Sequence, residues 1–176
     1  MKSSSKIIGV LFLVFVTVSC SAPKKTVVQQ AAPRVIQKDR IISRPFDAVW
    51  QTAIEWFATH NTPIKNLDKS SGLISTEYSV SIGDALKYME CARSSVSKSV
   101  QLTNYTGNFN VIIKKLADNS TKINVNVFFG CTQNIYKEQL HLFIPNETTL
   151  ISSARINCSS TGTLEKEILD YLEAGN

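Results

Sequence analysis

The chain is poor in the residues that build catalytic centres. Its 176 residues include only two histidines, His60 and His141, and neither stands in a metal-ligand spacing. It also lacks a Gly-rich phosphate loop, an HExxH motif and a GxSxG motif. His60 falls near the C-terminus of a predicted helix and His141 in a predicted strand, so packing explains both. We therefore predict no catalytic residue, no metal, no cofactor and a protein that is not an enzyme.

A dense basic run is missing as well. The net charge is +5, and setting aside Lys2 and Lys6 of the N-terminal segment leaves 17 basic against 14 acidic residues. Nucleic-acid-binding domains concentrate lysine and arginine on one face, often interleaved with aromatic residues. The composition therefore argues against a nucleic acid as partner.

The third absence is a long hydrophobic run. The longest, Ile7 to Val18, has twelve residues and includes Gly9 and Thr17, whereas crossing a bilayer takes roughly 20. Lys2 and Lys6 precede the run, and small residues follow it. A charged segment, a short apolar segment and small residues in that order are typical of a secretory signal peptide.

The end of this segment resembles a bacterial lipobox. It reads Thr17-Val18-Ser19-Cys20, with Thr17 where the family usually has Leu. The resemblance implies cleavage before Cys20 and acylation of its thiol and new amine, with chains such as palmitate that hold the protein on a membrane. Ser21 in place of Asp implies sorting to the outer membrane, with the domain facing the periplasm and cell-surface exposure left open. An ordinary signal peptide with a free Cys20 is the alternative.

We divide the chain into three parts. Residues 1–19 are the signal peptide, 20–38 are the lipidated N-terminus and a flexible tether rich in Pro, Ala and Gln, and 39–176 are one folded domain.

Periodicity within residues 39–176 predicts an α+β fold. The segment FDAVWQTAIEWFATH, from Phe46, has a wide apolar face. A second helix is predicted over TGTLEKEILDYLEAG, with apolar residues on one face and Ser160, Thr161 or Thr163 as its cap. Apolar residues alternate with polar ones in NFNVIIKK and KINVNVFFGC, and further strands are predicted at residues 39–43, around a turn at Asp68–Gly72, at EQLHLFI and at LISSARINC. IGDALKYMEC fits a short helix or a loop. We expect one antiparallel sheet packed against two helices on one face, in the order β-α-β-β-(loop)-β-β-β-β-α.

Two tryptophans lie on the first predicted helix. Trp50 is near the centre of the apolar face and Trp56 at its edge. Tryptophan is enriched at protein interfaces when it is exposed. Trp56 is therefore the candidate partner-binding residue, although a core position is the simpler interpretation for both.

Three cysteines remain once Cys20 is assigned to the anchor. Export past the inner membrane permits disulfides, and three cysteines allow one bridge and one free thiol. Cys91–Cys158 is the favoured pair because it would join the segment before a serine-rich loop to the last strand. Cys131–Cys158, Cys91–Cys131 and a fully reduced set stay open. No CxxC motif is present.

Two segments carry a resemblance to a known family. Val49-Trp50 followed by Ile64, Asp68, Gly72 and Ile74 resembles a helix and strand pair of bacterial envelope lipoproteins. CSSTGTLE, from Cys158 to Glu165, is similar to a C-terminal element of the same proteins. The resemblance is to the domains of lipoprotein C of the β-barrel assembly machinery (BamC-like) and implies a helix-grip fold.

Two functions follow as hypotheses. The first is a non-enzymatic, lipid-anchored envelope lipoprotein that serves as accessory or scaffold for an outer-membrane or periplasmic protein complex. The alternative is a binding module for a small hydrophobic ligand, held in a cavity between the sheet and the C-terminal helix. Tight packing of Trp50, Phe109 and Phe129 would argue against that cavity.

Overall fold

The fold is an antiparallel sheet with helices packed on one face. A computed structural model describes residues 34–92, 99–139 and 147–175. Its elements are β1 Asp39–Ile42, α1 Phe46–Thr59, β2 Ile64–Asp68, β3 Leu73–Ser79, α2 Ile82–Tyr88, β4 Met89–Glu90, β5 Ser99–Ala117, β6 Ser120–Gln139, β7 Glu147–Ser160 and α3 Thr163–Ala174. Within those ranges the fold is therefore α+β, with seven strands and three helices.

The strands form a single sheet in the order β2-β3-β5-β6-β7-β4. β6 is a central strand of this sheet, because β5 pairs along one side of it while β1 and β7 share the other side. β1 pairs with residues 121–124 of β6, and β7 pairs with residues 129–139. β5, β6 and β7 thus continue beyond the part of the sheet that β1, β2 and β3 widen.

The core lies between this sheet and the two longer helices. Phe109, Val111 and Ile113 of β5 are opposite Val127, Val125 and Ile123 of β6, and all six are buried. Paired residues in an antiparallel ladder point to the same face, so these six form one apolar surface. The amphipathic faces of α1 and α3 cover it, which explains why the alternation of residues 108–131 was readable in the sequence.

α1 joins this core through aromatic rings. Phe57 stacks on Phe109 with ring centroids 5.6 Å apart, and Trp56 meets Phe109 edge-on at 5.9 Å. Offset and edge-on pairs are the favourable aromatic geometries. Burial of these rings anchors α1 to β5.

Arginines next to β1 fix the C-terminal end of α3. Arg44 donates a hydrogen bond to the Leu172 carbonyl at 2.6 Å, and Arg40 donates to Asp170 at 2.8 Å. Hydrogen bonds from Lys166 and from Arg40 hold the Asp170 pKa below its usual value. A cation next to the last carbonyls of a helix also meets its negative dipole end. Contacts to the domain begin before β1, since the Arg34 side chain lies 3.2 Å from the Glu90 carboxylate.

The structure differs from the predicted order at three places. α2 forms from the segment that fitted a helix or a loop, because Ser81 caps it by accepting the Asp84 amide at 3.1 Å. β4, a two-residue strand, follows α2 directly and pairs with Ser159 and Ser160. β5 begins at Ser99 rather than near Asn108.

A separate strand is predicted over EQLHLFI, but its first two residues, Glu138 and Gln139, are the end of β6. β6 continues without a break to Gln139, and residues 140–146, including His141, lie outside the described residues. Residues 99–103 of β5 pair with residues 132–136 of β6, and most of these residues are polar, such as Thr103 and Thr132. Because α1 and α3 do not cover this part of the sheet, no apolar alternation marked it in the sequence.

Candidate protein-binding surface

Among the described residues, no strand lies along most of the outer edge of β7. One side of β7 pairs with β6 from Glu147 to Cys158. On the other side, within the described part of the chain, β4 pairs only with Ser159 and Ser160. Backbone amides and carbonyls at the outer side of residues 148–157 therefore have no strand partner there. Such an edge is a template for adding another strand.

This edge carries few of the features that protect natural sheet edges. Residues 148–157 read TTLISSARIN, with no proline, no lysine and one charged residue, Arg155. Their one irregularity is a bulge at Ile151, which the register skips between Ser152 and Leu150. The stretch from Ser152 to Asn157 pairs regularly with β6, so we define these six residues as the β7 edge.

Side-chain hydrogen bonds hold the β7 edge to its neighbours. Ser153 donates to the Asn134 side-chain carbonyl at 2.7 Å, and the Asn134 amide donates to Thr103 at 3.2 Å. Arg155 donates to the Thr106 hydroxyl. These bonds link β7, β6 and β5, so the edge is preorganised, which lowers the entropic cost of adding a strand.

A second surface feature lies beside α2. Ile82 and Leu86 are one helical turn apart and are 67% and 76% exposed. Beside them is a recess of about 240 Å³ lined by Ala85, Leu86, Met89, Glu90, Cys91, Leu102 and Tyr105, which we call the α2 recess. Exposed apolar side chains next to a concave apolar surface are typical of a site that contacts another molecule.

Trp56, the candidate partner-binding residue, lies in the core rather than on the surface. Trp56 is 4% exposed. Its ring packs edge-on against Phe57, at 5.2 Å between centroids, and the His60 imidazole stacks on it at 4.4 Å. The buried arc of α1 is wider than the sequence suggested because α1 touches both the sheet and α3.

His60 is a packing residue at the end of α1. Its ring nitrogen Nδ1 lies 2.8 Å from the Trp56 carbonyl oxygen, and the ring meets Tyr171 of α3 edge-on at 6.0 Å. The imidazole therefore closes the helix and joins α1 to α3. The other histidine, His141, lies outside the described residues.

The three domain cysteines meet in one place. Cys91 and Cys158 form a disulfide, the pairing favoured from the sequence, and Cys131 is a buried free thiol. The three sulfur atoms lie within 4.8 Å of one another, a spacing at which thiolates hold a metal ion. Two of the three are consumed by the disulfide, so this state offers a single thiol as ligand. Cys20, the predicted lipidation site, lies outside the described residues.

The segment Ser160-Thr161-Gly162, which precedes α3, is held by its own hydrogen bonds. The Gly162 amide donates to the Ser160 hydroxyl at 3.0 Å, and that hydroxyl donates to the buried Glu165 carboxylate at 2.8 Å. The Thr163 amide donates to the Thr161 hydroxyl at 3.3 Å. Because the Gly162 and Thr163 amides already have partners within the chain, neither is free to bind an anion at this helix start.

Comparison with known proteins adds no relative. No family model matches the chain, and no curated protein matches it. Within the residues that the structure describes, none of the helices has the length and apolar character needed to span a membrane.

Proposed function

We propose that this protein is a non-enzymatic, lipid-anchored envelope lipoprotein that serves as accessory or scaffold for a protein complex. Cys20 would carry the lipid and Ser21 would direct the protein to the outer membrane, with the domain facing the periplasm. The open β7 edge carries the proposal, because a preorganised strand without a partner is suited to binding an extended segment of another protein.

The occupant we propose is an extended strand of an envelope protein that pairs antiparallel or parallel with the β7 edge. Main-chain hydrogen bonds would supply affinity, and the small, exposed Ala154 would contribute to selectivity. The Arg155 side chain reaches back across β6 to Thr106 of β5, so it would not contact the added strand.

The packing of the core favours this function over the ligand-binding alternative. Phe109 is fully buried, and Trp50 and Phe129 are almost so. The leucines and the isoleucine of α3 are at most 2% exposed, namely Leu164, Ile168, Leu169 and Leu172. Side chains thus occupy the space between α3 and the sheet where a hydrophobic ligand would be held.

The helix-grip, BamC-like relationship belongs to the same proposal. It is supported by an antiparallel sheet whose C-terminal helix, α3, packs across its apolar face. It is also supported by the structural roles of the resembling motifs. Asp68 and Gly72 build the β2–β3 turn, and Ser160 and Glu165 bond to each other at the start of α3.

Photo-crosslinking tests the proposed surface. A photoreactive amino acid would replace Ala154 in the β7 edge of the full chain, expressed in its membrane. The matched control would place the same amino acid at Asn119, which is exposed in the β5–β6 turn. We expect a protein adduct from position 154 and none from position 119. An adduct of position 154 with a second copy of this chain would mean that the β7 edge binds itself and not an envelope protein. Equal yields at both positions, or no adduct at either, would count against the proposal.

A further inference from the structure

The free thiol of Cys131 lies beside the disulfide. Its Sγ is 3.6 Å from the Sγ of Cys158, which is already bonded to Cys91. Cys131 and Cys158 belong to neighbouring strands, where Cys131 is opposite Ile156 and Cys158 is opposite Phe129. The two cysteines are therefore diagonal neighbours on the same face of the sheet, at a spacing that side chains bridge.

The environments of the three sulfurs differ. Cys131 is fully buried, whereas Cys91 and Cys158 are half-buried. Cys91 also lines the α2 recess, next to the exposed Leu86. Of the three cysteines, Cys91 is therefore placed to meet a molecule in that recess.

We propose that the three cysteines form an exchangeable set in which Cys131 displaces Cys91 from Cys158 and leaves a reactive Cys91 thiol at the α2 recess. The Cys131 thiolate attacks the Cys158 sulfur, the Cys131–Cys158 bond forms, and the Cys91–Cys158 bond breaks. Cys91 leaves as a thiolate and takes up the proton that Cys131 released to solvent. The number of disulfides is unchanged, so the step needs neither an oxidant nor a reductant.

Two features make this exchange slow. Attack on a disulfide proceeds along the S–S axis, but the three sulfurs form a triangle with all separations within 4.8 Å. The Cys131 side chain must therefore rotate before it attacks. Burial also raises the pKa of the Cys131 thiol, although the charge of Arg155 opposes that shift. Only a small fraction of Cys131 is thiolate at neutral pH, so the exchange is slow there and faster at mildly alkaline pH.

The consequence is a reactive site that the ground-state disulfide hides. The Cys91 thiol would react with soft electrophiles and would form a mixed disulfide with a disulfide-bearing protein docked at the α2 recess. This site is separate from the β7 edge, so the two proposals stand on different observations.

Alkylation followed by peptide mapping tests the exchange without altering the fold. The full-length wild type would be incubated with iodoacetamide at mildly alkaline pH under native conditions, quenched in acid and digested. We expect alkylated Cys91 together with peptides linked through Cys131 and Cys158. Cys131→Ala is the matched control, in which alkylation of Cys91 should be lost. Protected Cys91 in the wild type, or equal alkylation of Cys91 in both proteins, would overturn the proposal.

A second variant tests whether the alternative bond fits the fold. Cys91→Ala removes the present disulfide and leaves Cys131 and Cys158 as thiols. On exposure to oxidised glutathione we expect both thiols to disappear and a Cys131–Cys158 linked peptide to form. If both cysteines are still alkylated after unfolding, the bond does not form and the proposal fails. Peptide mapping identifies each cysteine separately, so a thiol at Cys20 does not affect either result.

Discussion

Replacement of Gly72 by alanine gives a sharp test of the β2–β3 turn. Gly72 has a φ of +71°, and a Cβ at this position would overlap the Ile113 carbonyl oxygen of β5. Its own carbonyl accepts the Ile113 amide at 2.9 Å. The change therefore strains the turn and separates the start of β3 from β5.

The magnitude follows from these three effects. A left-handed conformation costs alanine about 1–2 kcal/mol, and a lost backbone hydrogen bond costs about 1 kcal/mol. The overlap adds about 1 kcal/mol, because the close atom belongs to the backbone and moves only with its strand. We expect Gly72→Ala to lower the free energy of unfolding by about 3–4 kcal/mol, or about 1.5–2 M in the urea midpoint at an m-value of about 2 kcal/mol/M.

Gly83 supplies the matched control. It lies in α2, where a Cβ would have the Ser81 hydroxyl as its nearest neighbour at 3.8 Å. Alanine favours a helix over glycine by up to about 1 kcal/mol, so Gly83→Ala should leave stability unchanged or raise it. Both variants would be unfolded in urea and followed by circular dichroism. A Gly72→Ala protein within about 0.5 kcal/mol of wild type would refute the reasoning.

Three further predictions concern charge, packing and the disulfide. Hydrogen bonds from Ser70 and Ser71 lower the Asp68 pKa from 3.8 to about 2, so the ionised side chain stabilises the turn above pH 3.8 and that contribution is lost as the pH falls towards 2. Asp68→Asn should therefore be less stable than wild type at neutral pH, with a difference that shrinks in acid unfolding curves. Phe109→Ala should cost about 4 kcal/mol in urea unfolding, whereas Phe128→Ala, 61% exposed, should cost almost nothing. Reducing the disulfide, which joins residues 67 apart, should cost up to about 4 kcal/mol in the chain-entropy model, and no change in the midpoint would contradict this.

The parts of the fold that the sequence predicted are those that bury one face. Alternation in residues 108–131 and the stripes of α1 and α3 reflect contact with a common core, so period and burial coincide. α2 buries only Ala85 within its seven residues and leaves no stripe to read. The first part of β5 is likewise mostly polar, so its pairing with β6 is visible only in three dimensions.

The candidate surface was the least predictable feature. The place of Trp56 at the edge of the helix stripe predicts exposure, but His60 and α3 cover it through tertiary packing that the stripe does not reveal. The β7 edge depends on which strands are neighbours, and local sequence does not determine sheet order. One signal was present, since residues 148–157 lack the proline and lysine that usually protect an edge strand. The sequence favours the Cys91–Cys158 disulfide that the structure contains. The position of Cys131 next to this disulfide follows from the diagonal register of β6 and β7, which the sequence does not reveal.

The central claim is that the β7 edge binds an envelope protein, and a lysine placed on that edge tests it most directly. Ala154→Lys introduces the charge that natural edges use to prevent strand addition, and Asn119→Lys adds the same charge in the exposed β5–β6 turn. Lipidated full-length wild type and both variants would be used for affinity capture from solubilised envelopes, with recovered proteins quantified by mass spectrometry. We expect wild type and Asn119→Lys to recover the same envelope protein and Ala154→Lys to lose it. Equal recovery by all three proteins, or repeated recovery of no envelope protein by wild type, would contradict the account.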